Sequence, residues 1–324
     1  MRVGACFLLC LFVLVPAAGA RVERNPTVAV FYYPWYGTPA HDGAYEHWQQ
    51  NGHDPPADIA SAFYPARGVY SSSDTAVVDS QLGEIAKAGI GEVVVSWWGR
   101  GSAEDQRLPS ILRAARTRGV EVAAHLEPYA GRTPAAAATD IAYLRTLGIR
   151  DFYVYDATAF PAADWRAATG NHAGLRLFVQ TPLVGFARKG GFDGIYTYDA
   201  LTYRGRVFAR ICSEARAQHL LCAPSVAPGF DARRATGDTR TLPRDGGKTY
   251  DAMWNAALRA HPDLVTITSY NEWHEGTQIE PAARRPGYRS YDGAWGKHGK
   301  AAENAYLART AYWTKRAAVI SRSG

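Results

Sequence analysis

What the chain lacks narrows it first. Of its four cysteines, Cys6 and Cys10 fall in the first twenty residues, which leaves Cys212 and Cys222. With no histidine pair at ligand spacing beside them, two cysteines cannot build a zinc cage, so no metal and no cofactor is expected. Lying close in sequence, they are either joined or buried as free thiols. After the first twenty residues no run is long and apolar enough for a bilayer, which takes about 20 residues. A phosphate-binding glycine cluster is missing, because Gly99-Arg100-Gly101 is too short and lacks the third glycine. No G-x-S-x-G nucleophile turn occurs, and His274-Glu275 fails to complete H-E-x-x-H because position 278 is Gln. The formal net charge is +6, yet the basic residues are scattered singly or in pairs such as Arg233-Arg234 and Arg284-Arg285. Without a basic stripe interleaved with stacking aromatics, a nucleic-acid partner is not expected, and the pairs read as solvated faces.

The N-terminus reads as an export signal. Arg2 supplies the positive end, an apolar run over 6–15 follows, and Ala18-Gly19-Ala20 fits the cleavage rule. Residues 1–20 are therefore assigned to a signal peptide and 21–324 to one mature domain, secreted or extracytoplasmic, with no stable membrane insertion after cleavage. Retention of the apolar segment as an anchor is the alternative. No linker or internal repeat divides the mature chain, and α/β barrels commonly run to about 250 residues as one domain.

Tyrosine and tryptophan, by contrast, are plentiful, and they gather at the ends of short β-like runs. Eight such runs stand out, over 27–33, 92–97, 121–126, 151–155, 175–180, 194–198, 220–226 and 264–270. Most are continuously apolar, as strands buried on both faces should be. Helical patterns separate many of them, over 75–88, 108–118 with Pro109 near the first turn, 139–147 and 250–260. Strand–helix alternation with eight strands predicts a closed (β/α)8 TIM barrel, with a doubly wound open sheet as the rival.

Barrel enzymes carry their chemistry at the C-terminal strand ends. Those ends here are Tyr32-Tyr33-Pro34-Trp35-Tyr36, Ser96-Trp97-Trp98, His125-Leu126-Glu127-Pro128-Tyr129, Tyr155-Asp156, Tyr196-Thr197-Tyr198-Asp199 and Asn271-Glu272-Trp273-His274-Glu275. An aromatic cleft with a few acids suits a sugar, whose C–H faces lie on rings while its hydroxyls bond carboxylates, Asn and His. Glu272 and Glu275, three apart, share one side if their loop starts as a helical turn, and two carboxyls facing one cleft are the minimum for glycoside hydrolysis. Alone, the E-x-x-E spacing more often marks solvated surface charge.

The motifs Phe31-Tyr-Tyr-Pro-Trp-Tyr-Gly37, Tyr70-Ser-Ser-Ser-Asp74, Ser96-Trp-Trp98, His125-Leu-Glu-Pro-Tyr129, Phe192-Asp-Gly-Ile-Tyr-Thr-Tyr198 and Ser269-Tyr-Asn-Glu-Trp-His-Glu-Gly-Thr-Gln-Ile-Glu280 occur in order. In these segments the chain resembles glycoside hydrolase family 99. The resemblance implies a (β/α)8 barrel and a metal-free, retaining endo-α-mannosidase or endo-α-1,2-mannanase. It makes Glu272 the base on the substrate's 2-hydroxyl, forming a 1,2-anhydro sugar, and Glu275 the acid and then the base. It implies sugar contacts from His125 and Glu127, stacking by Trp97 or Trp98, and active-site places for Tyr33, Tyr36, Tyr198, Asn271, Trp273 and His274. The Tyr45–Gln50 stretch, with His47-Trp48, matches the family's early loop only loosely, which leaves the donor-side specificity open. Two other readings remain: a sugar-binding barrel without turnover, and a related barrel acting on another α-linked surface polysaccharide.

Overall fold

The computed structural model describes residues 25–321, so the segment read as an export signal lies outside the described residues. Nine hydrogen-bonded parallel segments make the central sheet. They amount to eight strands: β1 (Asn25–Tyr32), β2 (Ile90–Trp97), β3 (Glu121–Leu126), β4 (Asp151–Val154), β5 (Arg176–Gln180), β6 (Gly194–Tyr196), β7 and β8 (Val265–Ile267). Strand β7 consists of Leu221–Ala223 and Ser225–Val226, parted at Pro224, which has no N–H for a ladder. Its first piece pairs with β6 and its second with β8, while β8 pairs with β1, so the sheet closes on itself. A helix follows each strand: α1 (Thr75–Lys87), α2 (Ala103–Arg118), α3 (Pro134–Thr146), α4 (Ala162–Thr169), α5 (Val184–Gly190), α6 (Phe208–Ala217), α7 (Lys248–Arg259) and α8 (Ala305–Ser321). The (β/α)8 barrel is present, and closure removes the open-sheet rival.

Alternation along the strands sorts the side chains into two layers. Val28, Val30 and Tyr32 of β1 join Val93, Val95 and Trp97 of β2 in the core under the helices. Ala29, Phe31 and Tyr33 point the other way and meet Tyr153, Phe178, Tyr196 and Tyr198 inside the barrel. The filling is tight enough to dictate a glycine: a Cβ on Gly194 would stand 2.6 Å from the Phe178 ring. Any side chain there would push a ring out of the interior layer.

Two helices differ from expectation at their starts. Ser102 caps α2 by accepting the Asp105 N–H, with Glu104 and Asp105 in the first turn, so the helix begins at Ala103 and Pro109 lies inside it. Thr133 caps α3 in the same way, and Pro134 opens it, ahead of the start at 139 that the apolar pattern suggests. In both, polar capping residues precede the apolar rhythm that marks a helix, and the rhythm alone dates the start too late. Strand β8 is shorter than the apolar run suggests, because from Ser269 the backbone bonds within its own loop, as in Ser269 N–H to Thr277 O at 3.0 Å. Cys212 on α6 and Cys222 on β7 are joined in a disulfide, their Cα atoms 5.2 Å apart. Among the described residues no helix is long and apolar enough to cross a membrane.

Candidate active site

The loop leaving β8 carries Glu272 and Glu275, and it is pinned at many points. Ser269 Oγ accepts the Glu272 N–H at 2.8 Å. Ile279 and Glu280 return N–H bonds to Tyr270 O at 3.1 and 2.8 Å, which closes the loop at its base. Asn271 locks it to the end of β1: its Oδ1 accepts the Tyr33 N–H at 2.7 Å and its Nδ2 donates to Tyr33 O at 2.9 Å. Tyr36 OH donates to Asn271 O and accepts the Trp273 N–H at 3.0 Å. On the far side Glu275 O accepts the Asp231 N–H at 2.7 Å. That approach requires a glycine next in line, since Gly276 has φ +63° and a Cβ there would lie 3.1 Å from Asp231 O.

Trp273 turns inward. Its Nε1 donates to Glu280 Oε2 at 2.9 Å, and the Glu280 carboxylate also accepts from Arg67 Nε at 2.7 Å, Gln81 Nε2 at 2.8 Å and Tyr70 OH at 2.9 Å. Tyr36, Trp97, Asn271 and Trp273 are all fully shielded. Three of them, Tyr36, Asn271 and Trp273, frame the loop. Trp97 lies in the layer beneath the helices, its Nε1 donating to Asp105 at 2.9 Å. Of the two neighbouring tryptophans, Trp98 is the half-buried one at the mouth, with Nε1 donating to Ser96 Oγ at 3.1 Å.

Glu272 is 3% exposed, and Glu275 is partly exposed. Burial first, then the Glu275 charge, push the Glu272 carboxyl well above its usual range, while N–H bonds from His274 and Glu275 pull it back in part. Burial first, then the charges of Asp199, Glu127 and Asp238, raise Glu275 to about 7. The buried Tyr33 and Tyr198 hydroxyls, hydrogen-bonded to each other, both feel Glu127, Glu272 and Glu275. The three carboxyls therefore converge on one tyrosine pair, and burial favours the protonated form of both glutamates.

His125 and Glu127 form a second corner. His125 Nδ1 stands 2.8 Å from Glu127 Oε1, its Nε2 is 2.8 Å from Tyr196 OH, and Ser96 Oγ donates to the same Glu127 oxygen. His274 Nε2 donates to His47 O at 2.7 Å, which leaves Nδ1 without a proton, 3.8 Å from Glu272 Oε1. Burial lowers both His274 and His47 to about 4, so both rings are neutral. Their rings stack with Trp35, 4.6 Å from His47 and 5.7 Å from His274. The early loop carrying His47 thus holds the histidine beside the base, a contact the loosely matched sequence gives no reason to expect. Trp35, His47, Tyr70 and Glu280 have no role assigned from the sequence, although Trp35, Tyr70 and Glu280 lie within its strongest motifs.

Two carboxyls raised by burial at the C-terminal mouth of a (β/α)8 barrel, beside aromatic rings, are the equipment of a glycosidase. The sequence matches the model of Glycosyl hydrolase family 99 over residues 23–318, and the chain belongs to that family. It is similar to the glycoprotein endo-alpha-1,2-mannosidase of Mus musculus, at 32% identity covering 83% of this chain and 72% of that protein. An endo-alpha-1,2-mannosidase-like protein of Danio rerio is 33% identical, covering 79% of this chain and 71% of its own length. The solved GH99 endo-alpha-mannosidase of Bacteroides thetaiotaomicron superposes with a TM-score of 0.83 at 30% identity, covering 93% of this chain and all of that one.

Proposed function

We propose that the protein is an exported, retaining endo-acting hydrolase of internal α-1,2-mannosidic linkages in mannan or mannose-rich glycans. The observation that carries this reading is the pair Glu272 and Glu275 at one buried site, both raised, with Glu272 alone accepting the His274 N–H at 2.9 Å. The division of roles follows the resemblance to the family: Glu272 acts as the base on the 2-hydroxyl and Glu275 as the acid, and the two N–H bonds to Glu272 support its carboxylate when it takes up that role. Glu272 takes the proton of the substrate's 2-hydroxyl as that oxygen attacks the anomeric carbon. The bond to the leaving oxygen breaks, and Glu275 protonates it. The 1,2-anhydro sugar then opens when a water, deprotonated by Glu275, attacks the anomeric carbon, and Glu272 returns its proton to O2. Two inversions give retention. An α-mannoside suits this path because its axial 2-hydroxyl lies opposite the leaving group. His125, Glu127, Trp98, Tyr33 and Tyr198 then hold the sugars. Export is supported by the N-terminal pattern and by the disulfide, which persists in oxidising compartments.

Product analysis on an α-1,2-linked manno-oligosaccharide tests the reading. Internal cleavage with retained anomeric configuration is expected, and Glu275→Gln should lower kcat by about 10²–10⁴-fold without lowering Tm. Full activity in that variant, or no hydrolysis of mannosides by the native protein, overturns it.

A further inference from the structure

The two arginine pairs that read as solvated surface do not lie apart in the fold. A cavity of about 520 Å³ is lined by Arg233, Arg234, Arg289, Tyr288, Asp231, Ala62 and Gly287. Arg285 reaches the same face, its guanidinium 4.0 Å from the Tyr64 ring and 6.0 Å from that of Tyr288. Arg234 lies 5.1 Å over Tyr288 from the other side. Two carboxylates oppose these four guanidiniums. Asp231 takes a two-bond clasp from Arg233 at 2.8 Å and a contact from Arg289 at 3.2 Å, while Asp58 pairs with Arg234. Asp231 is buried and taken up by these partners, so four guanidiniums stand against two carboxylates and leave a positive excess on this face. Arginines set this way, some flattened on rings, match the forked geometry that binds phosphate and carboxylate oxygens in pairs.

The cavity is built onto the catalytic loop. Its floor residue Asp231 donates its backbone N–H to Glu275 O at 2.7 Å. Its wall residue Arg234 accepts through its carbonyl from Asn51 Nδ2 at 3.0 Å, and lies 3.0 Å from His53 Nε2, in the early loop whose His47 carbonyl holds His274. The pocket therefore sits between the two loops that fix the base and the acid. The cleft itself is unsuited to an anion, because the charges converging on Glu275 are all carboxylates.

We propose that this arginine-lined pocket is a subsite for an oxyanionic substituent, a phosphoryl or carboxylate group, carried by the glycan whose mannosidic bond lies at Glu272 and Glu275. The inference rests on the α-mannoside reading above and adds a charge preference to it. One charge-assisted contact is worth about 1.5–3 kcal/mol, so a phosphoryl group on the chain should lower KM by about tenfold or more at low salt. The gain should shrink as the Debye length contracts to about 8 Å at physiological ionic strength.

The test compares KM and kcat for one manno-oligosaccharide with and without a phosphomonoester, at low and at physiological salt. In the native protein the phosphorylated chain should show the lower KM with kcat unchanged. Inorganic phosphate should compete against the phosphorylated chain and not against the neutral one. Arg289→Gln leaves Asp231 clasped by Arg233, and with Arg285→Gln added, which removes the excess of two positive charges without unpairing Asp231, it should bring the two KM values together while leaving turnover of the neutral chain intact. Equal KM values in the native protein at low salt, or a preference that survives the double substitution, overturn the proposal. Should neither chain be cleaved, the mannosidase reading falls, and calorimetry with mannose 6-phosphate then judges the pocket: binding lost in Arg289→Gln sustains it, and no binding ends it.

Discussion

Glu272, Glu275 and Glu280 belong to one loop, and they have opposite fates. Glu280 is fully buried, and four donors reach its carboxylate: Arg67, Gln81, Tyr70 and Trp273. Glu272 is almost as buried but receives no cation; its charged neighbours are Glu275 and Glu127. A buried charge is tolerated when paired and hydrogen-bonded, and otherwise it takes up a proton. Burial raises Glu280 too, but Arg67, Gln81 and Tyr70 pull it back, whereas every charge acting on Glu275 pushes it further up; the first arrangement makes an anchor and the second an acid–base pair. Trp273 links them, because its ring nitrogen serves Glu280 while its backbone lies between Glu272 and Glu275.

The contrast breaks most sharply at Glu280. Removing one partner of a buried ion pair costs about 3–5 kcal/mol, since Arg67 would be left beside the half-buried Glu84 with its other contact gone. Glu280→Ala should lower stability by about that much in urea unfolding, and should lower kcat as the loop loosens. Glu275→Gln should do the reverse, with kcat lowered by about 10²–10⁴-fold and no stability lost. An unchanged unfolding midpoint in Glu280→Ala would sink the idea that this knot holds the loop.

Much of this is legible in the sequence, and for definite reasons. The barrel is readable because its strands are buried on both faces and so show as apolar runs, with glycines closing several intervening helices. Glu272 and Glu275 are readable because their segment is dense in chemically versatile residues. What is not readable is orientation. Trp97 and Trp98 are adjacent, so one faces the helices and the other the mouth, and the sequence offers both alike. Asn271 and Tyr36 look like sugar ligands by type, yet backbone groups more than two hundred positions away in sequence use up their polar atoms. The arginine pairs look like solvated surface because what gathers them, Asp231 and Tyr288, is distant in the chain from one or the other.

A second, smaller effect concerns a part of the barrel remote from the loop's charges. The disulfide from α6 to β7 closes a short loop, a constraint worth about 2–3 kcal/mol on the unfolded chain. Replacing Cys212 and Cys222 together by serine should lower stability by about that amount with kcat and KM unchanged. A loss of activity that exceeds the loss of folded protein would show that β7 transmits its disturbance to Asp231 and the glutamates.

The smallest effect tests the unpaired side of the comparison by its pH dependence. Glu275 has its carboxyl raised from 4.5 to about 7, chiefly by burial. Between those two pH values the folded protein keeps a proton that the unfolded chain has already released. Stability contributed by this group is thus full below 4.5, falls as pH rises through the window, and is lost above about 7. Every tenfold change in proton affinity between the folded and unfolded chain is worth about 1.4 kcal/mol, and partial exposure of the group reduces the sum to roughly 1–3 kcal/mol. Glu275→Gln carries no titrating group, so it should match the native protein near pH 4.5 and exceed it in stability by that margin at pH 8. Urea unfolding at the two pH values measures the difference. The same proton sets the activity profile: kcat/KM of the native protein should fall as pH rises past 7, because the acid is then ionised before it can protonate the leaving oxygen. An identical stability gap between variant and native protein at both pH values would mean that Glu275 is as well satisfied as Glu280, and the distinction between anchor and acid would be lost.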